Sequence, residues 1–158
     1  MPYAADDETA DDAGDDGPLT IGLLCFIVAR AMEDRVLADL AAAGFDDITV
    51  AQARVMARVG AKGTRSTELA EQARVTKQTV TFLVDQLERA GYVRRVPDPV
   101  DARARLVVFA ERGLAAQEVA RRTEVVVEQE WTRHLGRRAT GQLHRTLSRL
   151  REITDPYL

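Results

Sequence analysis

The sequence predicts a mainly α-helical chain interrupted by one small β-hairpin. Proline interrupts helices, and none occurs between Pro18 and Pro97 or between Pro99 and Pro156. Apolar residues recur at helical spacing on both sides of a short β-rich region at residues 92–109. A chain of 158 residues is long enough for one domain with a core and short for two.

An acidic segment opens the chain. Residues 1–18 carry seven carboxylates and neither Lys nor Arg, a composition that predicts a disordered tail. Subtracting these seven charges from the net charge of −3 leaves +4 for residues 19–158, and a mildly basic body suits contact with nucleic acid. The tail is interpreted as a solubilising extension, and competition for the basic surface is the alternative.

Composition also predicts the cellular setting. No apolar run approaches the ~18 residues of a membrane span, and the start of the chain lacks the basic and apolar regions of a signal peptide. The single cysteine excludes an intramolecular disulfide and fits a reducing compartment. A cytoplasmic protein is therefore predicted.

The first two predicted helices come before the β-rich region. Apolar residues repeat every four positions in residues 19–43, and Gly44 is placed to end this helix. Thr49 is expected to cap the next helix, whose Val55, Met56 and Val59 would face the core.

Residues 66–91 predict a helix, a turn and a second helix. Ser66 is expected to cap a short helix over residues 67–72, and Thr76 to cap the second helix, which Gly91 ends. One apolar stripe of this second helix is formed by Val80, Leu83, Val84 and Leu87. Its polar residues lie at or near the N-terminal end, where the helix dipole favours phosphate: Thr76, Lys77, Gln78, Thr79 and Thr81. Taken alone, such a face indicates only a solvated surface.

Two β-rich runs, residues 92–96 and 105–109, predict a two-stranded hairpin. Four arginines lie on it: Arg94, Arg95, Arg103 and Arg105. A guanidinium near the hairpin tip suits a duplex backbone or a narrow minor groove. The alternative is an edge hairpin kept soluble by its arginines.

Four segments carry a resemblance to the MarR family of winged-helix regulators: STELA at 66–70, VTKQTV at 75–80, LVDQLERAG at 83–91 and DPVDAR at 98–103. The resemblance implies that Asp101 holds the wing while Arg103 enters the minor groove. Ala102 stands where many members have a second arginine. Ala110 stands where a Ser or Thr commonly caps the next helix, so that helix is expected to begin differently.

The terminal helices carry more apolar surface than a small lobe needs. Residues 112–135 contain Val119, Val126, Val127, Trp131 and Leu135, and the last helix contains Leu143, Leu147, Leu150 and Ile153. Such faces suggest a second copy of the chain as partner. The resemblance likewise implies a homodimer, with a winged helix-turn-helix lobe at 49–109 and dimerisation helices at 19–44 and 112–158.

No enzyme site is predicted. His134 and His144 are interpreted as solvated helix residues, and Asp98 and Asp101 as turn formers. Known catalytic, phosphate-binding and zinc-binding spacings are absent from the sequence, so neither a metal nor a cofactor is expected.

The predicted function is that of a transcriptional regulator, by default a repressor, released from a pseudopalindromic operator by a small-molecule effector. Gln78 suits adenine and Lys77 guanine, whereas Phe82 is expected to pack beside the wing rather than to touch a thymine methyl. Effector pockets of the family lie between the dimerising helices and the DNA-binding lobe. Phe26 and Trp131 are candidates for lining one, although core packing is the simpler interpretation. The alternative function is a winged-helix protein-interaction module without DNA binding.

Cys25 raises a further alternative, a thiol-based peroxide response. Its Leu-Cys-Phe context is similar to that of the reactive cysteine in the hydroperoxide-sensing branch of the family. The tyrosines that activate the thiol in that branch are replaced by Ala29 and Asp39. A buried, unreactive cysteine is therefore the simpler interpretation.

Overall fold

The computed structural model describes residues 18–101 and 103–157. The described chain forms six helices and three strands, which confirms the predicted mainly helical fold with a small β wing. In chain order these elements are α1 (Ile21–Ala42), α2 (Val50–Met56), β1 (Thr64–Arg65), α3 (Ser66–Ala73), α4 (Lys77–Arg89), β2 (Val93–Pro97), β3 (Arg105–Phe109), α5 (Glu111–Leu135) and α6 (Arg137–Thr154).

The wing is a three-stranded antiparallel sheet rather than the two-stranded hairpin that the sequence predicts. Its strand order is β1-β3-β2, so β3 is central. Strand β2 pairs with β3 from Val93 opposite Phe109 to Pro97 opposite Arg105, and β1 pairs Thr64 with Val107. The two-residue strand β1 was not predicted, because so short a segment has no readable alternation.

The helix starts test the predicted caps. Thr49 caps α2 by accepting a hydrogen bond from Gln52 N, and Gln52 in turn accepts one from Thr49 N, as a capping box does. The prediction that Ser66 caps the next helix is wrong, because α3 begins at Ser66 and Arg65 occupies the cap position directly after pairing in the sheet. Helix α5 begins after Ala110 without a side-chain cap.

The core lies within the lobe formed by α2, α3, α4 and the sheet. The largest fully buried side chains there are Leu69, Leu87, Val55, Val80, Val84, Tyr92, Val93 and Val107. They include three of the four residues of the predicted α4 stripe, and the fourth, Leu83, is also buried. The lobe therefore holds α4 by one face and leaves the opposite face to solvent.

Helices α1, α5 and α6 form a second, elongated region. Helix α1 packs along α5, where Thr123 Oγ1 donates a 2.7 Å hydrogen bond to Asp39 Oδ2 and Arg35 lies 3.2 Å from Glu130. Much apolar surface stays exposed on the single chain, including Ile21 (73%) and Ile153 (84%). Helix α6 contains no buried residue. The predicted excess of apolar surface on these helices is therefore present.

The predicted acidic tail, residues 1–18, lies outside the described residues except for Pro18. Among the helices that the structure describes, none combines the length and apolar character that a membrane crossing needs.

Candidate nucleic-acid interface

Helix α4 begins with a well-formed cap. Thr76 Oγ1 accepts a 3.1 Å hydrogen bond from Thr79 N, and the two hydroxyl oxygens lie 2.9 Å apart. Thr76 and Thr79 therefore hold the helix start in addition to their predicted place at the interface. Lys77, Gln78 and Thr81 are exposed.

The start of α4 can receive an anion. The first backbone N–H groups of a helix have no acceptor within the helix, and the helix dipole adds positive potential at the same end. The Lys77 ammonium is a point charge that suits phosphate or guanine, and the Gln78 amide both donates and accepts. This end of α4 thus combines sequence-independent attraction with groups that distinguish bases.

The loop between β2 and β3 is closed by its own backbone. Asp98 N donates to Ala104 O over 3.1 Å, and Ala104 N donates to Asp101 O over 2.8 Å. Asp101 Oδ1 also accepts a 3.1 Å hydrogen bond from Arg103 N. Asp101 therefore braces the backbone that carries Arg103, whose side chain is exposed near the tip of the wing.

Asp98 and Arg65 hold the base of this loop, and the sequence analysis missed their role. Asp98 Oδ1 accepts a 2.8 Å hydrogen bond from Val100 N, and Oδ2 accepts one of 2.7 Å from Arg65 Nε. The Val100 N–H and then the Arg65 guanidinium hold the pKa of the Asp98 carboxyl below its usual value. The Asp98 side chain is only 6% exposed, so it is part of the lobe and not only a turn former.

Arg95 faces the lobe, unlike the other wing arginines. Its Nη2 lies 2.6 Å from Asp85 Oδ1, its Nη1 pairs with Glu88, and its backbone N donates a 2.9 Å hydrogen bond to Glu88. Asp85 and Glu88 both belong to α4. This placement favours a role in fixing the wing against α4 over the direct DNA contact that the sequence predicted for Arg95.

The remaining wing arginines point into solvent. Arg94 lies opposite Val108 and Arg105 opposite Pro97 in the register, and both side chains are exposed, as is that of Arg103. Three guanidiniums are thus available on the wing.

Phe82 is not buried against the wing. Its side chain is 57% exposed. Two residues after buried Val80, Phe82 points away from the core because successive helix residues are about 100° apart. An aromatic ring therefore lies on the outer face of α4.

Arg112 joins α5 to the lobe. Its guanidinium donates to Ala90 O over 2.9 Å and to Asp47 over 2.8 Å, and it lies 4.3 Å from the centre of the Tyr92 ring. Burial and then the hydrogen bond to Asp47 raise the pKa of the Tyr92 hydroxyl. The start of α5, the end of α4 and the loop before α2 are consequently held together.

A cavity of about 270 Å³ separates the elongated region from the lobe. Its walls come from α1, α2, α5 and the end of β3, and include Val36, Ile48, Met56, Phe109 and Ala116, with Gln117, Arg121 and Glu124 also lining it.

Phe26 and Trp131 lie outside this cavity, and neither is core. Phe26 is 60% exposed on α1 and lines a second, open cavity of about 780 Å³ between α1, α2 and the end of α3. Trp131, His134 and His144 line a separate cavity of about 310 Å³ at the junction of α5 and α6. Both histidines are exposed, which agrees with their interpretation as solvated residues.

Cys25 is exposed on α1, so the interpretation of a cysteine buried within the chain is wrong for the single copy. Across the described ranges, no cluster of three or more His, Cys, Asp or Glu side chains is arranged to hold a metal ion.

Comparisons with known proteins agree with this geometry. The model of the MarR family matches residues 46–104, from the loop before α2 to the end of the wing loop. A comparison with curated proteins gives no match.

Solved structures extend the similarity to the elongated region. The apo form of wild-type MarR from E. coli is 25% identical, with a TM-score of 0.67, over 85% of this chain and 98% of that one. The transcriptional regulator Tm0710 from Thermotoga maritima is 26% identical, with a TM-score of 0.60, over 84% of this chain and 92% of that one. A MepR mutant from S. aureus bound to an oligodeoxyribonucleotide shares the fold at 21% identity, with a TM-score of 0.55, over 84% and 96% of the two chains.

Proposed function

Because this chain belongs to the MarR family of transcriptional regulators, we propose that it binds double-stranded DNA as a homodimer, represses transcription and leaves its operator when a small molecule binds. Members of the family regulate transcription and are not enzymes, which confirms the prediction that this chain is not an enzyme. As a regulator of chromosomal genes it would act in the cytoplasm.

The single observation that carries the proposal is the common exposure of the α4 start and the wing guanidiniums. Lys77, Gln78 and Thr81 face solvent from α4, and Arg94, Arg103 and Arg105 face it from the wing. A helix of this kind fits the major groove, and a guanidinium near a hairpin tip fits the adjacent phosphates or minor groove. A module that only bound other proteins would not need exposed arginines on the wing in addition to a polar helix that fits a DNA groove.

The homodimer follows from the apolar surface of α1, α5 and α6. Leu143, Leu147 and Leu150 are each at least 40% exposed in the single chain, and they recur along one side of α6. A second copy related by a twofold axis would cover such surface on both chains. The twofold would place two α4 helices about 34–36 Å apart, so the operator would be a pseudopalindrome.

Effector release is supported by the cavity between α1, α2 and α5. Its walls are mainly apolar, with Gln117, Arg121 and Glu124 as polar groups, so a small and largely apolar molecule would fit it. Such a molecule would contact the lobe through Ile48 and Met56 and the dimerisation helices through Val36 and Ala116.

Duplex binding across a salt series tests the proposal. A duplex enriched from a random library by the full-length protein should bind with an affinity that falls by roughly 10³ or more between 50 and 200 mM salt, because several phosphates release counterions. The matched comparison is the double variant Lys77→Ala and Gln78→Ala, which should retain salt-dependent binding but discriminate less between the enriched duplex and random DNA. Failure to enrich any duplex would refute the proposal. Undiminished discrimination in the double variant would refute the assignment of these two residues.

A further inference from the structure

Phe82 is an exposed aromatic residue on the outer face of α4. The other strongly exposed apolar residues gather mainly on α1, α5 and α6, where a second copy would cover them. Phe82 belongs instead to the lobe, where another aromatic residue, Tyr92, is fully buried. The packing of the lobe therefore does not account for the exposure of Phe82, which is 57%.

Helical geometry puts Phe82 beside the groups that face a base pair. Gln78 and Phe82 are four residues apart, so their Cβ atoms lie about 5–6 Å from each other on one face of α4. Both are exposed, and Val80 and Val84 are fully buried on the opposite face. The ring is carried by a rigid helix and would enter the groove with Gln78.

One group that the bases present in the major groove is apolar and bulky, the 5-methyl group of thymine. Thymine presents a 5-methyl group there beside its O4 acceptor, cytosine has only a hydrogen at that position, and adenine and guanine present hydrogen-bonding groups. An aromatic ring cannot hydrogen-bond to those groups, and it would strip water from them without replacing it. The side chain of Phe82 therefore favours thymine where it meets the base.

We propose that Phe82 is a specificity-determining residue that reads the 5-methyl group of a thymine close to the base contacted by Gln78. The proposal rests on the proposed DNA-binding function and adds a base preference to it. Twofold symmetry requires the preference in both half-sites.

Replacing thymine by deoxyuridine tests this contact, because it removes the methyl group and keeps the pairing. In the enriched duplex, thymines are replaced one symmetric pair at a time, and the dissociation constant is measured with the full-length protein. Burial of one methyl group contributes ~0.8 kcal/mol, which corresponds to about a fourfold change in affinity. Removing the methyl groups from both half-sites should therefore weaken binding by about 15-fold at one symmetric pair of positions. All other pairs serve as controls for the replacement itself.

The same duplexes are then measured with two variants. Phe82→Ala should bind the thymine and deoxyuridine duplexes within about twofold of each other, because the ring that contacts the methyl is gone. Phe82→Leu should show an intermediate ratio, since Leu retains part of the contact. Thermal unfolding of both variants should match that of the wild type, because the side chain is mostly exposed.

The outcomes separate this inference from the function on which it rests. Enrichment of no duplex refutes DNA binding, and this inference with it. An enriched duplex that tolerates deoxyuridine at every position refutes the role of Phe82 and leaves DNA binding intact. A deoxyuridine effect that is equally large in Phe82→Ala assigns the methyl contact to another residue and also overturns the inference.

Discussion

Gly113 allows α5 to approach the wing sheet, and its replacement should separate the two. A Cβ added at this position would lie 1.9 Å from Tyr92 O and 2.9 Å from Phe109 Cδ1. Ordinary carbon–oxygen contacts are longer than 3 Å, and the closer of the two neighbours is backbone. The helix would therefore have to move by about an ångström or more away from the backbone of Tyr92, which directly precedes β2.

The expected cost of Gly113→Ala is large for a single methyl group. An extra methylene in a packed core lowers the free energy of unfolding by about 1–3 kcal/mol when the surrounding side chains can move. Here the close neighbour is a backbone carbonyl, which moves less easily, so the loss should be at or above the upper end of this range. Alanine favours a helix interior over glycine by roughly 0.5–1 kcal/mol. The net loss of unfolding free energy should therefore be about 2 kcal/mol or more.

Gly141→Ala in α6 is the matched control. The added Cβ would lie 3.4 Å from Arg145 Nη1, the mobile end of a long side chain. Only the preference of a helix interior for alanine over glycine remains, so the free energy of unfolding of this variant should rise by roughly 0.5–1 kcal/mol. Urea unfolding followed by far-ultraviolet circular dichroism measures both variants. A Gly113→Ala variant as stable as the wild type would refute the close approach of α5 to the backbone of Tyr92.

Two further predictions concern the wing. Arg103→Ala should weaken binding to all duplexes and lower the salt slope by about one for each wing, whereas Arg138→Ala, at the start of α6, should change neither the affinity nor the slope. Unaltered binding in Arg103→Ala would mean that the wing does not reach DNA. The pKa of the Asp98 carboxyl is lower in the folded chain than in the unfolded chain, where it is about 4. The ionised carboxyl therefore stabilises the fold fully above about pH 4, and this stabilisation is lost as the pH falls through the pKa of the folded chain. The free energies of unfolding of the wild type and of Asp98→Asn, measured in urea, should therefore approach each other as the pH is lowered. A difference that stayed constant with pH would contradict this prediction.

Features set by neighbouring residues were predictable from the sequence. The α4 stripe at Val80, Leu83, Val84 and Leu87 was correctly predicted because its spacing repeats within one helix. The caps at Thr49 and Thr76 depend on contacts three residues away and were also correct.

Features set by distant residues were not predictable. Arg65 meets Asp98 across 33 residues, and nothing in either segment indicates the other. Arg95 was assigned with the other wing arginines because its partners, Asp85 and Glu88, lie on a separate element. The exposure of Phe82 likewise depends on how far the wing extends over α4, which the spacing of apolar residues does not report.

The contacts of the lobe indicate how an effector would act. Arg95 links the wing to α4, and Arg65 with Asp98 links the base of the wing loop to β1, so the elements of the surface proposed to read DNA are joined to one another. The cavity lies outside this surface, between the lobe and helices α1 and α5. A ligand shifts a conformational equilibrium only through a difference in affinity between the two states. Since the cavity walls belong to both regions, a ligand bound there would distinguish states that differ in the position of the lobe relative to α1 and α5. In the proposed dimer, such a ligand would change the distance between the two α4 helices and leave the contacts within each lobe unaltered. Binding in successive major grooves depends on that distance.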